Sequence, residues 1–401
     1  MNKAMKTGEK RHLRVCIISF PMPSFWVIDI FLYDLIKIFE PLCDKLFVVG
    51  GRNAKVTNFS EKIKLINIKT AMHYRETIYP KWWSLVLQCF KITTIQIKIC
   101  WILMKLSKKI DVVFFYVGGA NLFLPVIMAK ILRKHVITSA IGLGSLSYKR
   151  SRNGKFFGKT ANVYATTLDV LETAIFNFSD LIIAESPSAV NFLGLNKYRQ
   201  KVLVSGARYI DTKLFRIKKE YIQRMNLIGY IGRLDEGKGV MNFVRAMPLI
   251  LEKQSNLKFF IGGCGTLAEI IKEELKNNNL SQRVELVGWI PHDKVTNYLN
   301  EMKLFVLPSY SEGLPTVVLE AMACGTPVLA TPVGGIPDVI KDDETGFILQ
   351  DNSPECIAKT IVRVFQYKNV DRIINNAREL IQNNYTYDAA IERYRKILFI
   401  H

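Results

Sequence analysis

The sequence predicts an α/β protein built from two doubly wound parallel sheets that face a central cleft. Three observations predict it. Continuous apolar runs of strand length recur along the chain, and strands buried on both faces belong to parallel sheets. Helix-length amphipathic segments separate these runs, the alternation of βαβ units. The series restarts near residue 215, and 401 residues are too many for one ordinary core.

The first series of strands reads LRVCIISF (13–20), KLFVVGG (45–51), DVVFFYVGG (111–119), KHVITSAIG (134–142), DLIIAES (180–186) and KVLVSGA (201–207). Helical patterns such as IDIFLYDLIKIF (28–39) and LDVLETAIFNF (168–178) lie between them. The second series reads NLIGYIGRL (226–234), LKFFIGG (257–263), RVELVGW (283–289), KLFVLPS (303–309), TPVLATPVGG (326–335) and GFILQD (346–351). KGVMNFVRAMPLILEKQ (238–254) and a segment opening at Pro315 supply helices, and TYDAAIERYRKIL (386–398) is a final amphipathic one. The domains predicted are 1–205 and 206–383. No short-period repeat or low-complexity segment interrupts them. Paired sheets of this kind bind ligands at the carboxyl ends of their strands.

Hydrophobic residues make up 49% of the chain and charged residues 22%, the balance of a globular protein. The seven cysteines are scattered without a CxxC pair. They read as reduced, mostly buried thiols, which suits a cytosolic protein. The basic opening MNKAMKTGEKRHLRVCIISF lacks the apolar core and cleavage site of a signal peptide. The net charge of +20 is lopsided: residues 1–200 hold 29 basic and 12 acidic side chains, the rest 26 and 23. Residues 51–150 alone hold 17 and 3. The first half therefore expects an anionic partner: a membrane surface, a phospholipid-like substrate or nucleic acid.

The stretch SEGLPTVVLEAMACG (311–325) carries the densest chemistry. Proline is favoured in the first helical turn. Gly313 and Leu314 bring bare backbone to a ligand, and the N–H groups of Thr316 and Val317 with the helix dipole form an anion site. Glu312 and Glu320 would repel a phosphate there, so hydroxyls are their partners: a sugar near Glu312, a ribose near Glu320. The plainer reading, Glu312 as a helix cap and Glu320 on a solvated face, stands at equal weight on spacing alone. In GYIGRLDEGKGV (229–240), Arg233 offers a fork of donors and Lys238 a point charge, a pair suited to a leaving pyrophosphate. Alone, that loop reads equally as solvated charge. GGCG (262–265), with Gly263, reads by itself as a tight turn.

Taken together and in order, these motifs resemble glycosyltransferase family 4, retaining enzymes of the GT-B fold with two Rossmann-like domains. The likeness is dense over 201–398. It rests on Gly-Arg-(x)4-Lys-Gly, Gly-Gly-x-Gly, and Pro-Ser-x-x-Glu-Gly-Leu-Pro followed by Glu-Ala-x-Ala-x-Gly-x-Pro-Val. VSGARYIDTKLF (204–215) resembles the family's interdomain segment, and the last helix, within 384–401, its crossing back to the first domain. The resemblance implies a nucleotide-diphosphate sugar as donor and no metal or other cofactor. Arg233 and Lys238 would bind the diphosphate and Glu320 the ribose. Glu312 would orient the sugar, and backbone near Gly313, Leu314, Thr316 and Gly263 would hold sugar and phosphate.

The first half departs from the family. ISFPMPSFWVID (18–29) replaces a Gly-Gly turn, and Ala140 stands where many members carry a histidine, with Gly142 and Gly144 after it. No acceptor-side base is assigned. His135 reads as structural, and GGA (118–120) as a loop that approaches the donor sugar or as a loop only. Within WWSLVLQCFKITTIQIKICWILMKLSKK (82–109), Ser84, Gln88, Lys91, Lys98, Lys105 and Lys109 form one stripe on an otherwise apolar helix. A membrane span would bury lysines at about 3 kcal/mol each. An interfacial helix, Trp and Ile inward and Lys toward lipid phosphates, fits better. A core helix with a solvated lysine stripe is the alternative. YKRSRNGKFFGK (148–159) reads as a lipid-diphosphate grip or an ordinary loop. The function expected is sugar transfer to a glycan or lipid-linked acceptor in cell-surface polysaccharide or glycolipid synthesis, at the inner face of the cytoplasmic membrane. The alternatives are a nucleotide-sugar epimerase on the same fold and a charge-driven nucleic-acid binder; the donor motifs would go unused in the latter, and no nucleic-acid partner is expected.

Overall fold

The computed structural model describes residues 13–20, 26–51, 59–68, 82–117, 119–140, 159–206 and 208–398, with side chains except at 26–31, 82–88 and 159–165. Residues 21–25 and 148–158, with Gly118, Gly142 and Gly144, lie outside the described residues, as do the side chains of Ser84 and Gln88.

Seven parallel strands form the first sheet: β1 (Arg14–Ser19), β2 (Lys45–Gly50), β3 (Ile63–Asn67), β4 (Val112–Val117), β5 (His135–Ser139), β6 (Leu181–Ala184) and β7 (Val202–Val204). Their order is β3-β2-β1-β4-β5-β6-β7. Among the described residues, the helices of this half are α1 (Trp26–Phe39), α2 (Trp82–Leu106), α3 (Phe123–Ile131), α4 (Lys159–Phe178) and α5 (Pro187–Phe192). The second sheet has six parallel strands: β8 (Leu227–Ile231), β9 (Lys258–Gly262), β10 (Val284–Val287), β11 (Leu304–Leu307), β12 (Val328–Ala330) and β13 (Phe347–Ile348). Their order is β10-β9-β8-β11-β12-β13. Its helices are α6 (Val240–Lys253), α7 (Ala268–Asn277), α8 (His292–Glu301), α9 (Thr316–Ala323), α10 (Ile336–Val339), α11 (Pro354–Phe365) and α12 (Val370–Asn384), and α13 (Tyr387–Leu398) closes the described chain.

The strands obey the apolar reading. In β1, β4 and β6 nearly every residue is buried, as both-face coverage by helices requires. The sequence pattern did not single out β3. It is an edge strand with a half-exposed, mixed pattern, IKLIN, and its place comes from pairing with β2. Two apolar clusters cover the faces of the first sheet, and one large cluster fills the second unit. Ala390, Tyr394, Ile397 and Leu398 of α13 belong to the first sheet's core. The Tyr394 ring lies 5.3 Å from Phe39 and 6.2 Å from Phe114.

In both sheets the strand order reverses beside the strand that opens the series. The second reversal, between β9-β8 and β11, places the loops after β8 and β11 on the two sides of one crevice. Ligands of doubly wound sheets bind at such a switch point.

Candidate active site

Lys238 and Glu312 meet across that crevice. Lys238 closes the turn Glu236–Lys238 after β8 and Glu312 follows β11. The Lys238 ammonium donates to both carboxylate oxygens at 2.7 and 2.8 Å, and Ser309 Oγ donates to Oε1 at 2.7 Å. The carboxylate side chain is 6% exposed and the lysine 20%. Gly239, at φ +65°, ends the turn, and a Cβ there would lie 2.0 Å from Pro308 O. Only glycine lets the lysine turn pack so closely on the acid's strand.

Arg233 behaves differently. It is paired with its near neighbour Asp235 at 2.7 Å, and its side chain is 51% exposed. Exposed pairs are worth about 0–1 kcal/mol, so this guanidinium can leave Asp235 for a stronger anion at little cost. Lys238, set in a largely buried pair, is the fixed cation. Gly263 lies at the neighbouring strand end with φ +141°, and its N–H donates to both Val287 O and Gly288 O at 3.0 Å. It thereby ties the ends of β9 and β10 together, and Gly232 N, donating to Gly262 O at 3.0 Å, ties in the end of β8.

Pro315 sits one residue before α9 as its cap, and the helix opens with Thr316. The Thr316 hydroxyl is buried with no hydrogen-bond partner among the described residues. The Leu314 amide is not open, as the sequence reading had it. It donates to Glu185 Oε2 at 2.8 Å, and Leu314 is buried. Glu185 comes from the first domain, at the end of β6, and a Cβ on Gly313 would lie 2.5 Å from its Oε2. The bare backbone of Gly313 therefore admits a carboxylate of the protein itself. Arg208 faces Glu185 at 3.1 Å. Burial works against the guanidinium's charge, but the carboxylates of Glu185 and Asp34 outweigh it and hold the proton more tightly than usual. Nearby, Ser188 of α5 donates through N and Oγ to Asp338 of α10 at 2.9 and 2.8 Å. Gly335 N donates to Gly313 O at 2.6 Å. The loop 312–314 is thus held on one side by its own domain and on the other by the first.

Glu320 lies in the middle of α9, only 3% exposed. It does not join the Lys238–Glu312 pair but meets His292 Nε2 at 2.6 Å. Against the plainer reading, Glu320 is on no solvated face.

His135 lies in β5 with Nδ1 3.7 Å from Asp180, a structural position. Ala140 is buried and its N–H donates to Ile183 O. Gly119 opens a short turn at φ +48°, near Glu172. Among the described residues, no group of three or more His, Cys, Asp or Glu side chains is placed to hold a metal ion. Glu185, His292 and Ser309 were not singled out in the sequence. A charged residue closing the apolar run LIIAE was a usable signal for Glu185, since strand ends line the crevice. His292 had only its place after Pro291 at a helix start.

Residues 211–385 match the family described as glycosyl transferases group 1. An uncharacterized glycosyltransferase of Methanocaldococcus jannaschii is 27% identical over 288 residues, 69% of this chain and 72% of that protein. The amylovoran biosynthesis glycosyltransferase AmsK of Erwinia amylovora is 26% identical over 47% of this chain and 48% of its own. Among solved structures, Anabaena HepE in complex with UDP and glucose superposes with a TM-score of 0.72 at 16% identity, covering 97% of this chain and 100% of that one. That likeness speaks for the fold, the two-domain GT-B arrangement. By the match over residues 211–385 and by these relatives, the chain is an enzyme of the glycosyltransferase class.

Proposed function

We propose that the protein moves a sugar, with retention of configuration, from a nucleotide-diphosphate sugar to a glycan or lipid-linked acceptor, in the manner of family 4. The observation that carries this reading is the Lys238–Glu312 pair across the switch point, beside the start of α9. Lys238, Arg233 and the amides of Thr316 and Val317 neutralise the leaving diphosphate, so no metal enters the reaction. Glu312 takes a sugar hydroxyl and Glu320 the ribose. The bond between the anomeric carbon and the phosphate oxygen breaks. The acceptor oxygen bonds to that carbon on the same face, and its proton passes to the departing phosphate. HepE, crystallised with UDP and glucose, lends support to such a donor, and AmsK, named for amylovoran biosynthesis, to a polysaccharide acceptor.

A donor screen tests the reading. With each nucleotide sugar in turn, one is expected to raise the melting temperature by several degrees and to release its nucleoside diphosphate slowly, with an α-linked donor giving an α-linked product by NMR. Absence of any shift or release across uridine, guanosine, adenosine and thymidine donors would overturn it.

The first domain fits a peripheral place on an anionic membrane, at the inner face of the cell membrane. No helix among the described residues is long and apolar enough to cross one. In α2, Ile95, Ile99, Leu103 and Leu106 are spent on the core. Phe90, Ile97, Trp101 and Met104 stand outward at 73, 58, 53 and 45% exposure, within an arc of about 60° at 100° per residue. The tryptophan thus points away from the core, with the Lys105 ammonium 3.4 Å from its ring centroid. Lys98 and Lys105 border one side of the apolar stripe, a pattern for lipid headgroups over shallow acyl contact. Replacing Lys91, Lys98 and Lys105 by Glu is expected to lower binding to vesicles containing phosphatidylglycerol at least tenfold, measured by sedimentation. Unchanged binding would remove the membrane from the proposal.

A further inference from the structure

We propose that His292 is a positioning residue for the nucleotide: it holds one oxygen of Glu320 so that the other is presented, charged, to the ribose hydroxyls. The inference rests on the reading above, in which Glu320 takes the ribose.

A buried carboxylate is costly unless hydrogen-bonded. Glu320 is 3% exposed, and its Oε1 meets His292 Nε2 at 2.6 Å. That is the short distance of a charge-assisted bond. A carboxylate has about four acceptor sites, so a single bond on Oε1 leaves Oε2 able to accept from a neighbouring pair of hydroxyls. The ring itself is restrained. His292 opens α8, whose Val295, Leu299 and Asn300 are buried. Its imidazole lies 5.2 Å from the ring of Phe215, which is 2% exposed. Its outer edge is open, with the side chain 42% exposed. A fixed donor at the carboxylate's back with a free edge toward solvent fits an orienting group better than a core filler.

The charges facing His292 come from three elements: Glu320 on α9, Asp293 on its own α8, and Asp34 on α1 of the first domain. The hydrogen bond to Glu320 raises the imidazole's proton affinity most; burial opposes it, and the three carboxylates add to it. The folded-state pKa therefore lies above the ordinary 6.5. The ring is charged below that raised value, and its charge is lost as pH rises through it. Nucleotide affinity should weaken over the same rise.

The experiment compares UDP, GDP and ADP with their 2′,3′-dideoxy counterparts by calorimetry, using the full chain. Wild type is expected to prefer the ribonucleotide of its own base. His292→Ala should weaken that ribonucleotide ~10–100-fold and leave the dideoxy compound within about threefold. Donor KM should rise by a like factor while kcat stays within about threefold. His292→Gln, which keeps a donor without the charge, should recover most of the affinity and abolish its fall with pH. If His292→Ala leaves the ribose preference intact while Glu320→Ala erases it, the inference is overturned and the reading of Glu320 stands. A preference that survives Glu320→Ala overturns both. Should His292→Ala fail to fold, an affinity that falls with pH equally in His292→Gln and wild type overturns the inference.

Discussion

Lys238→Met is expected to reduce sugar transfer roughly 100–1000-fold, the usual loss when one preorganised donor to a developing anion is removed. It is also expected to destabilise the protein. Glu312 is 6% exposed on its side chain and, among the described residues, would keep the Ser309 hydroxyl alone. Stripping one member from a fully buried pair costs about 3–5 kcal/mol. Because Lys238 is partly exposed, we expect about 2–3 kcal/mol. The double variant Lys238→Met with Glu312→Gln separates the two effects. Glutamine can still accept from Ser309, so stability should return to near wild type while turnover stays low. Denaturant titration and turnover on the same samples check both. Wild-type turnover in Lys238→Met would remove the lysine from the diphosphate site, and an unchanged midpoint would deny the pair its structural part.

Gly263→Ala is the second large effect. At φ +141° an L-residue is strained, and a Cβ would lie 1.8 Å from Gly232 O, a backbone atom that cannot step aside alone. Strain of this kind costs about 1–3 kcal/mol and forced packing about 1–3 kcal/mol more, so a loss of about 3–5 kcal/mol is expected. The displacement falls on Gly232 and the Arg233 that follows it, so nucleoside diphosphate affinity should drop at the same time. Gly237→Ala is the matched control. It lies in the neighbouring loop, after β8, with nothing within 4 Å of the added carbon, and should stay within about 0.5 kcal/mol of wild type. Equal stability of the two variants would refute the argument.

Both sheets were legible because their strands are buried on both faces and so write themselves as apolar runs, LRVCIISF and NLIGYIGRL among them. β3 was not, since an edge strand needs no such run. Motif order singles out the acids Glu312 and Glu320 and the cations Arg233 and Lys238 as candidates. It does not single out their partners: Lys238 meets Glu312 across 74 residues, His292 meets Glu320 across 28, and Leu314 meets Glu185 across 129. Contacts between segments so far apart in sequence leave no local pattern. The helix at 82–106 was legible as apolar with a lysine stripe, but sequence could not divide its apolar residues between core and surface. That division depends on which face meets the sheet: Ile95 and Ile99 pack on it, and Trp101 does not.

The helix Tyr387–Leu398 bears on how the chain reaches its native state. Its Ala390 and Tyr394 pack into a core around Phe39 and Phe114, so that core is filled only after the second domain has been synthesised. At bacterial or eukaryotic elongation speeds the unfilled hollow stays open for tens of seconds. Over that interval the hollow around Phe39 and Phe114 lacks the side chains that fill it in the folded protein.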